Sequence, residues 1–427
     1  MTGNGSVQPN EQSPLLHSHS HHDGSHSSES PYLSDSRFWV RLPYQTVHLT
    51  WATLASNYVH ILLVFVPLGI VSGVLEWGAA TVFVLNFLAI MPLASLLSFA
   101  TEELSATMGQ TLGGLMNATF GNAVELIVSI IALKDNQIRV VQASMLGSIL
   151  SNILLVLGCC FLVGGLRYSE QSFNSTVAST MSSLLAVASA SLIIPASLFA
   201  AMSGSYETNP DETRKNILLL SHGTAIILLL LYVMYLYFQL KSHSHLFEEG
   251  AEGDDNIENQ AVVAEEEHHI LGPFAAGVAL VVVTILVAIC AEYLVGSIEG
   301  IVEKTGMSKT FIGLVLIPIV GNAAEHVTAV VVAYKNKMDL AIGVAIGSSL
   351  QIALFVTPFL VILGWIMGVE MTLHFHVFET VSFFISALVV ILLIQDGKSN
   401  YLEGGLCLGL YFILAIAFYV YPDNTST

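Results

Sequence analysis

Gly121-Asn122-Ala123-Val124-Glu125 lies within an apolar run from about Leu104 to Leu133. A near copy, Gly321-Asn322-Ala323-Ala324-Glu325, lies within the run from about Lys309 to Tyr334. A carboxylate deep in a segment of hydrocarbon length costs roughly 2.5–3.5 kcal/mol on insertion scales, so its presence points to a function. Here there are two, in the same local sequence, 200 residues apart. The match extends further. Gly147-Ser148-Ile149-Leu150-Ser151 recurs as Gly347-Ser348-Ser349-Leu350-Gln351 at the same offset, and Lys134 and Lys335 follow their motifs by about ten residues. The chain is a duplicated unit.

Composition sets the class. Of the 427 residues, 54% are hydrophobic and 11% charged, against about 25% charged in a soluble domain. Long stretches almost free of charge predict an all-α, polytopic membrane protein. The net charge is −19, but nine of the 32 acids fall in one polar loop: Glu248, Glu249, Glu252, Asp254, Asp255, Glu258, Glu265, Glu266 and Glu267. The balance therefore says little about the membrane part, and no basic patch suggests nucleic acid. Cys159, Cys160, Cys290 and Cys407 all lie in apolar runs and read as small core residues, with neither disulfide nor zinc spacing. A Ser/His/Asp set, an HExxH motif and a phosphate-binding loop are all missing, so an enzyme is not expected, nor is a cofactor.

Apolar stretches of about 20 residues can be counted as spans. They fall near 58–76, 79–100, 104–133, 140–165, 177–202, 216–240, 271–300, 309–334, 340–368, 374–395 and 401–421. That is eleven transmembrane helices: one extra helix (58–77), a five-helix repeat (78–240), an acidic segment (241–270), a second five-helix repeat (271–421) and a short tail (422–427). Residues 1–57 form a polar N-terminal tail expected to be disordered. Five spans per unit is an odd number, so the second copy enters the membrane from the opposite side. Inverted repeats of this kind build secondary transporters with sites at the midplane. With a cytosolic N-terminus, Lys and Arg divide seven inside to six outside, and charge alone does not orient the chain.

In a helix, Asn122 and Glu125 share a face, as do Asn322 and Glu325, Ser148 and Ser151, and Ser348 and Gln351. Inversion would bring Glu125 opposite Glu325. The expected donor set is Glu125, Glu325, Asn122, Asn322, Ser148, Ser348 and Gln351, all hard oxygens, which suits Ca²⁺. Gly121, Gly147, Gly321, Gly347 and Pro318 permit kinks and close helix approach. Two buried carboxylates cannot both stay ionised without a cation, so a divalent cation and protons would satisfy them alternately. A cation channel is a competing class; two inverted broken-helix motifs argue instead for alternating access.

These motifs, Gly-Asn-Ala-Val-Glu with Gly-Ser-Ile-Leu-Ser-Asn and Gly-Asn-Ala-Ala-Glu-His with Gly-Ser-Ser-Leu-Gln, resemble the α-repeats of the cation/proton exchanger family. That is the vacuolar H⁺/Ca²⁺ exchanger branch of the calcium/cation antiporter superfamily, and the fungal members look nearest. The resemblance implies Ca²⁺ and H⁺ as substrates, a multi-pass vacuolar protein, a cytosolic N-terminus, and an acidic helix between the sixth and seventh spans. It also implies cation ligands at Glu125 and Glu325. Sodium-coupled relatives usually carry Thr-Ser where this chain has Asn-Ala, which favours H⁺ over Na⁺; Mn²⁺ stays open.

The resemblance implies a proton- or cation-pathway acid at Glu102, with Glu303, Glu292 or Glu299 as its possible counterpart; the 200-residue offset points to Glu303. Glu103 is expected to be solvated. His326, adjacent to Glu325, points about 100° away on a helix and suits a proton relay better than a ligand. The acidic loop reads either as a solvated linker or, by the resemblance, as a sensor of cytosolic Ca²⁺. In the tail, Glu11-Gln12-Ser13-Pro14-Leu15-Leu16 resembles an acidic dileucine signal for a sorting adaptor, and His17, His19, His21, His22 and His26 form a His-rich tract. Oligomeric state leaves no trace in the sequence.

Overall fold

An Asn that follows a Gly is a weak helix former, and each motif puts one in the middle of a span. In the computed structural model, which describes residues 58–203, 210–247 and 271–422, both spans break there. Leu112–Phe120 (α3) and Ala123–Lys134 (α4) meet at 47°, and Lys309–Gly321 (α9) and Ala323–Tyr334 (α10) meet at 58°. Asn122 (φ −103°, ψ 25°) and Asn322 (φ −84°, ψ 6°) leave the helical region at the breaks. Seven further helices are long and apolar enough to cross a bilayer: α2 (Ala79–Thr107), α5 (Ile138–Arg167), α6 (Ser175–Met202), α7 (Asp211–Ser242), α8 (Pro273–Thr305), α11 (Met338–Met367) and α13 (Tyr401–Val420). The first and tenth expected spans are shorter apolar helices, α1 (Val59–Val74) and α12 (Val377–Leu393). Thus, among the described residues, nine spans meet the length test when each bent pair counts as one, and each of the eleven expected stretches coincides with one of these helices or pairs.

The duplication reaches the backbone. Asn136 and Asn336, 200 apart, both turn with positive φ (56° and 62°) after α4 and α10. Wide π-turns follow the Gly-Ser motifs at Ser151–Val156 and Ile352–Val356.

Contacts between links divide the helix ends into two faces. On one, β1 (Gln171–Ser172) pairs antiparallel with β2 (Lys398–Ser399). There Gln171 Nε2 donates to Ala333 O (3.0 Å) and Asn336 Oδ1 (2.9 Å). On the other, Lys134 pairs with Glu292 (3.3 Å), Gln137 and Lys309 both donate to Glu299 (2.9 and 3.1 Å), and Arg139 pairs with Glu379. α4 runs from Glu125 to the Lys134 face, whereas α10 runs from Glu325 to the face of Ala333 and Asn336. The two copies are inverted.

Close approach is bought by small residues, since apolar side chains gain nothing by leaving lipid for each other. A Cβ at Gly147 would strike the backbone of Leu314, and one at Gly404 the backbone of Leu162, so α5 packs directly on α9 and α13. The four cysteines are free, three of them buried.

Glu103 corrects the expectation of a solvated side chain. It is buried, and its carboxylate accepts from Leu271 N (3.0 Å). The backbone amide that opens the second repeat needs an acceptor, and Glu103 supplies it. The acidic loop from Glu248 to Glu267, the dileucine-like segment and the His-rich tract lie outside the described residues.

Candidate functional site

The breaks place each glutamate at the third position of a half-helix, with Asn122 and Asn322 as the preceding caps. The free amides and the dipole of a helix N-terminus favour negative charge there, which offsets part of the desolvation of Glu125 and Glu325. Inversion then interleaves the copies. The Glu125 carboxylate lies so close to Gly321 that a Cβ there would come within 2.5 Å of Oε1. Asn122 Nδ2 donates to Gln351 Oε1 (2.5 Å), and Ser348 Oγ donates to Asn122 Oδ1 (2.9 Å). Asn322 Nδ2 donates to the carbonyl of Ser148 (3.2 Å), so that residue offers its backbone oxygen rather than its hydroxyl to this network.

All seven expected donors therefore meet where the repeats cross. One further residue joins them. Asn152 donates to Glu325 Oε2 (3.3 Å) and Ser348 Oγ (3.1 Å). Its counterpart at the 200-residue offset is Ile352, so duplication gave no reason to pick it out, although the motif Gly-Ser-Ile-Leu-Ser-Asn ends on it. Asn152 also makes the site unequal. Glu325 Oε2 has an amide donor, while Glu125 Oε2 is buried with no partner among the described residues, as are Asn152 Oδ1 and Asn322 Oδ1.

Three orphaned oxygens, one of Glu125 itself and two of the asparagines beside the carboxylates, are costly unless something positive meets them. Carboxylate and amide oxygens in a flexible frame are a Ca²⁺ donor set.

A cavity of about 450 Å³ runs from Glu102, Phe247 and Asp339 at one face to Glu325, Ser348 and Gln351. Glu102 is exposed at its rim and accepts from Ser98 Oγ (3.2 Å). Glu125 instead borders a pocket of about 10 Å³, room for one water at most. Among the described residues, the large cavity thus reaches the site from the Glu102 face. Glu303 is exposed on α8 at the opposite face, and Glu292 and Glu299 are exposed in ion pairs there. None of the three borders the cavity. His326 Nδ1 is 2.8 Å from the carbonyl of Asn322 and so carries the hydrogen, leaving a buried Nε2 with no partner among the described residues.

The sodium/calcium exchanger protein family matches residues 78–241 and 275–420. The chain belongs to this family. The vacuolar calcium ion transporter of Schizosaccharomyces pombe is 51% identical over 378 residues, 88% of each chain. The Ca²⁺/H⁺ antiporter of Aphanothece halophytica is 45% identical over 365 residues, 84% of this chain and 96% of that one. Among solved structures, native YfkE matches with a TM-score of 0.70 at 38% identity, over 85% of this chain and 100% of that one. The protein is a membrane transporter and not an enzyme.

Proposed function

We propose that the protein exchanges cytosolic Ca²⁺ for luminal H⁺ across the membrane of a vacuole or another acidic organelle. In this reading Ca²⁺ and H⁺ compete for the Glu125/Glu325 pair, which is exposed to one side at a time. The observation that carries the reading is the crossing of the two repeats. It joins two carboxylates, one with an unpartnered oxygen, to two unpartnered amide oxygens, and among the described residues no cationic side chain is hydrogen-bonded to either carboxylate.

The Glu102 face is taken as cytosolic. The cavity then admits Ca²⁺ from the cytosol to Glu325, Ser348 and Gln351. Binding requires deprotonated carboxylates. Once the site faces an acidic lumen, protons displace the cation, and two protonated glutamates neutralise the half-helix site for the return. Relatives named as vacuolar calcium transporters and Ca²⁺/H⁺ antiporters support this choice of ions.

The test is Ca²⁺ uptake by purified protein in acid-loaded vesicles. The proposal expects uptake that follows the pH gradient and stops on adding a protonophore. Uptake that survives collapse of the gradient would favour a channel, and uptake driven by an imposed Na⁺ gradient would favour sodium coupling. Mn²⁺ offered in place of Ca²⁺ settles cation choice.

A further inference from the structure

Asn336 turns the chain between α10 and α11 with positive φ, as Asn136 does between α4 and α5. The backbone of the two turns is repeated, but the flanking side chains are not. Lys335 and Lys337 flank Asn336, whereas Asp135 and Gln137 flank its mate. Arg167, at the end of α5, has Met367 as its mate. The repeated fold therefore does not demand these three cations.

The structure brings them to one corner. Arg167 Cζ lies 4.3 Å from the ring centroid of Tyr334 and 5.5 Å from that of Tyr168. Gln171 ties the same stretch to the turn through Ala333 O and Asn336 Oδ1. Arg167, Lys335 and Lys337 are all exposed, and none pairs with a carboxylate among the described residues. Acids close by are engaged elsewhere. Glu170 pairs with Lys398 (2.7 Å), Glu403 accepts from Asn400 N (3.2 Å), and Asp339 accepts from Asn174 N (2.7 Å). Asp339 also rims the large cavity, so the corner belongs to the Glu102 face.

Its depth follows from its neighbours. A Cβ at Gly165 would strike the backbone of Tyr401, so α13 starts beside the end of α5. Leu166, Tyr334, Tyr401 and Leu402 are all exposed there. Tyrosines at span ends mark the headgroup level of a bilayer, with apolar side chains against the lipid tails. The three cations thus stand in the layer that holds lipid phosphates.

We propose that Arg167, Lys335 and Lys337 form a binding site for the phosphorylated headgroup of an anionic phospholipid in the leaflet on the Glu102 face. A guanidinium held flat on Tyr334 presents its fork to phosphate oxygens, and the two ammonium groups add point charge. A phosphatidylinositol monophosphate, with a phosphodiester and a phosphomonoester, carries about three negative charges and matches the three cations. Phosphatidylcholine offers no net charge. The inference does not depend on which ions are exchanged. With the Glu102 face cytosolic, this is also the leaflet where anionic lipid concentrates. The turn links α10, which carries Glu325, to α11, which carries Ser348 and Gln351, so a bound headgroup sits on the link between two parts of the cation site.

Native mass spectrometry of the purified protein in detergent tests this. Phosphatidylinositol monophosphate is titrated, with phosphatidylcholine and the free headgroup, inositol bisphosphate, in parallel. The proposal expects the phosphorylated lipid to bind, phosphatidylcholine to fail, and affinity to fall as salt is raised. Arg167→Gln, Lys335→Gln and Lys337→Gln should each weaken binding about fivefold. Lys241→Gln removes an exposed cation of the same face, beside α3, and should leave binding unchanged. The double variant Lys335→Gln/Lys337→Gln changes only exposed side chains, so it serves even if loss of Arg167 upsets folding. Equal binding by the parent and the double variant, or an equal loss in Lys241→Gln, would refute the site. Inositol bisphosphate that binds as tightly as the lipid would refute a membrane ligand.

Discussion

Glu125 and Glu325 carry the account at the scale of single residues. Glu125→Gln and Glu325→Gln keep shape and remove charge, so each should abolish Ca²⁺/H⁺ exchange while the protein still reaches the membrane. Near-normal uptake by either variant would remove that glutamate from the site. Gly321 offers a subtler probe, because its missing Cβ leaves room for the Glu125 carboxylate. Gly321→Ala should displace that carboxylate and weaken Ca²⁺ binding by about tenfold or more, equivalent to about 1.4 kcal/mol. Calorimetry on the purified variant measures this, and unchanged affinity would separate Glu125 from the cation. Both glutamates and both asparagines could be read from the sequence because duplication marks them twice. Asn152 could not, since its mate is Ile352. Glu103 misled because a charge beside a span end looks solvated until a partner amide, that of Leu271, is known.

Helices are the next scale. Apolar runs foretold where they lie, because bilayer thickness fixes their length. Gly121, Gly147, Gly321, Gly347 and Pro318 read as permitting kinks, and the bent pairs lie at Gly121 and Gly321. Angles of 47° and 58° and the π-turns were not legible, since hydropathy carries no information about helical pitch. Nor was the clamp at the start of α5. There Arg139 binds the fully buried Glu379 of α12 and donates to Thr310 Oγ1 of α9 (3.0 Å), tying the first repeat to the second. Glu379→Ala should destabilise the purified protein towards the low end of the roughly 3–5 kcal/mol lost when a buried pair is broken, because the Arg139 side chain keeps 31% exposure. A clear fall in melting temperature is expected, smaller for Glu379→Gln. An unchanged melting temperature for Glu379→Ala would mean that the pair contributes nothing to joining the repeats.

At the scale of the whole molecule, inversion turns one sequence motif into two half-sites that face each other. Parity alone predicted it, because each repeat holds five spans, an odd number. Side-chain pairing on the two faces agrees, from Gln171 with Asn336 on one to Lys134 with Glu292 on the other. The nine acids between Glu248 and Glu267 stand outside that symmetry. If they sense cytosolic Ca²⁺, removing 248–267 should shift the Ca²⁺ dependence of uptake more than its maximal rate; kinetics left intact would reduce the segment to a linker.

Competition between Ca²⁺ and H⁺ for one pair of carboxylates is the central claim, and its sign follows from linkage. Ca²⁺ binds the deprotonated pair and releases protons, so apparent affinity must fall as pH falls. The titration belongs to the coupled pair rather than to either glutamate. The most direct measurement is equilibrium Ca²⁺ binding to the purified protein from about pH 8 to about pH 5.5, in parallel with Glu125→Gln and Glu325→Gln. The account predicts affinity that weakens steadily towards acid in the parent chain, with protons released on binding, and loss of binding in both variants. Affinity that does not change with pH would place the protons elsewhere and contradict the shared site.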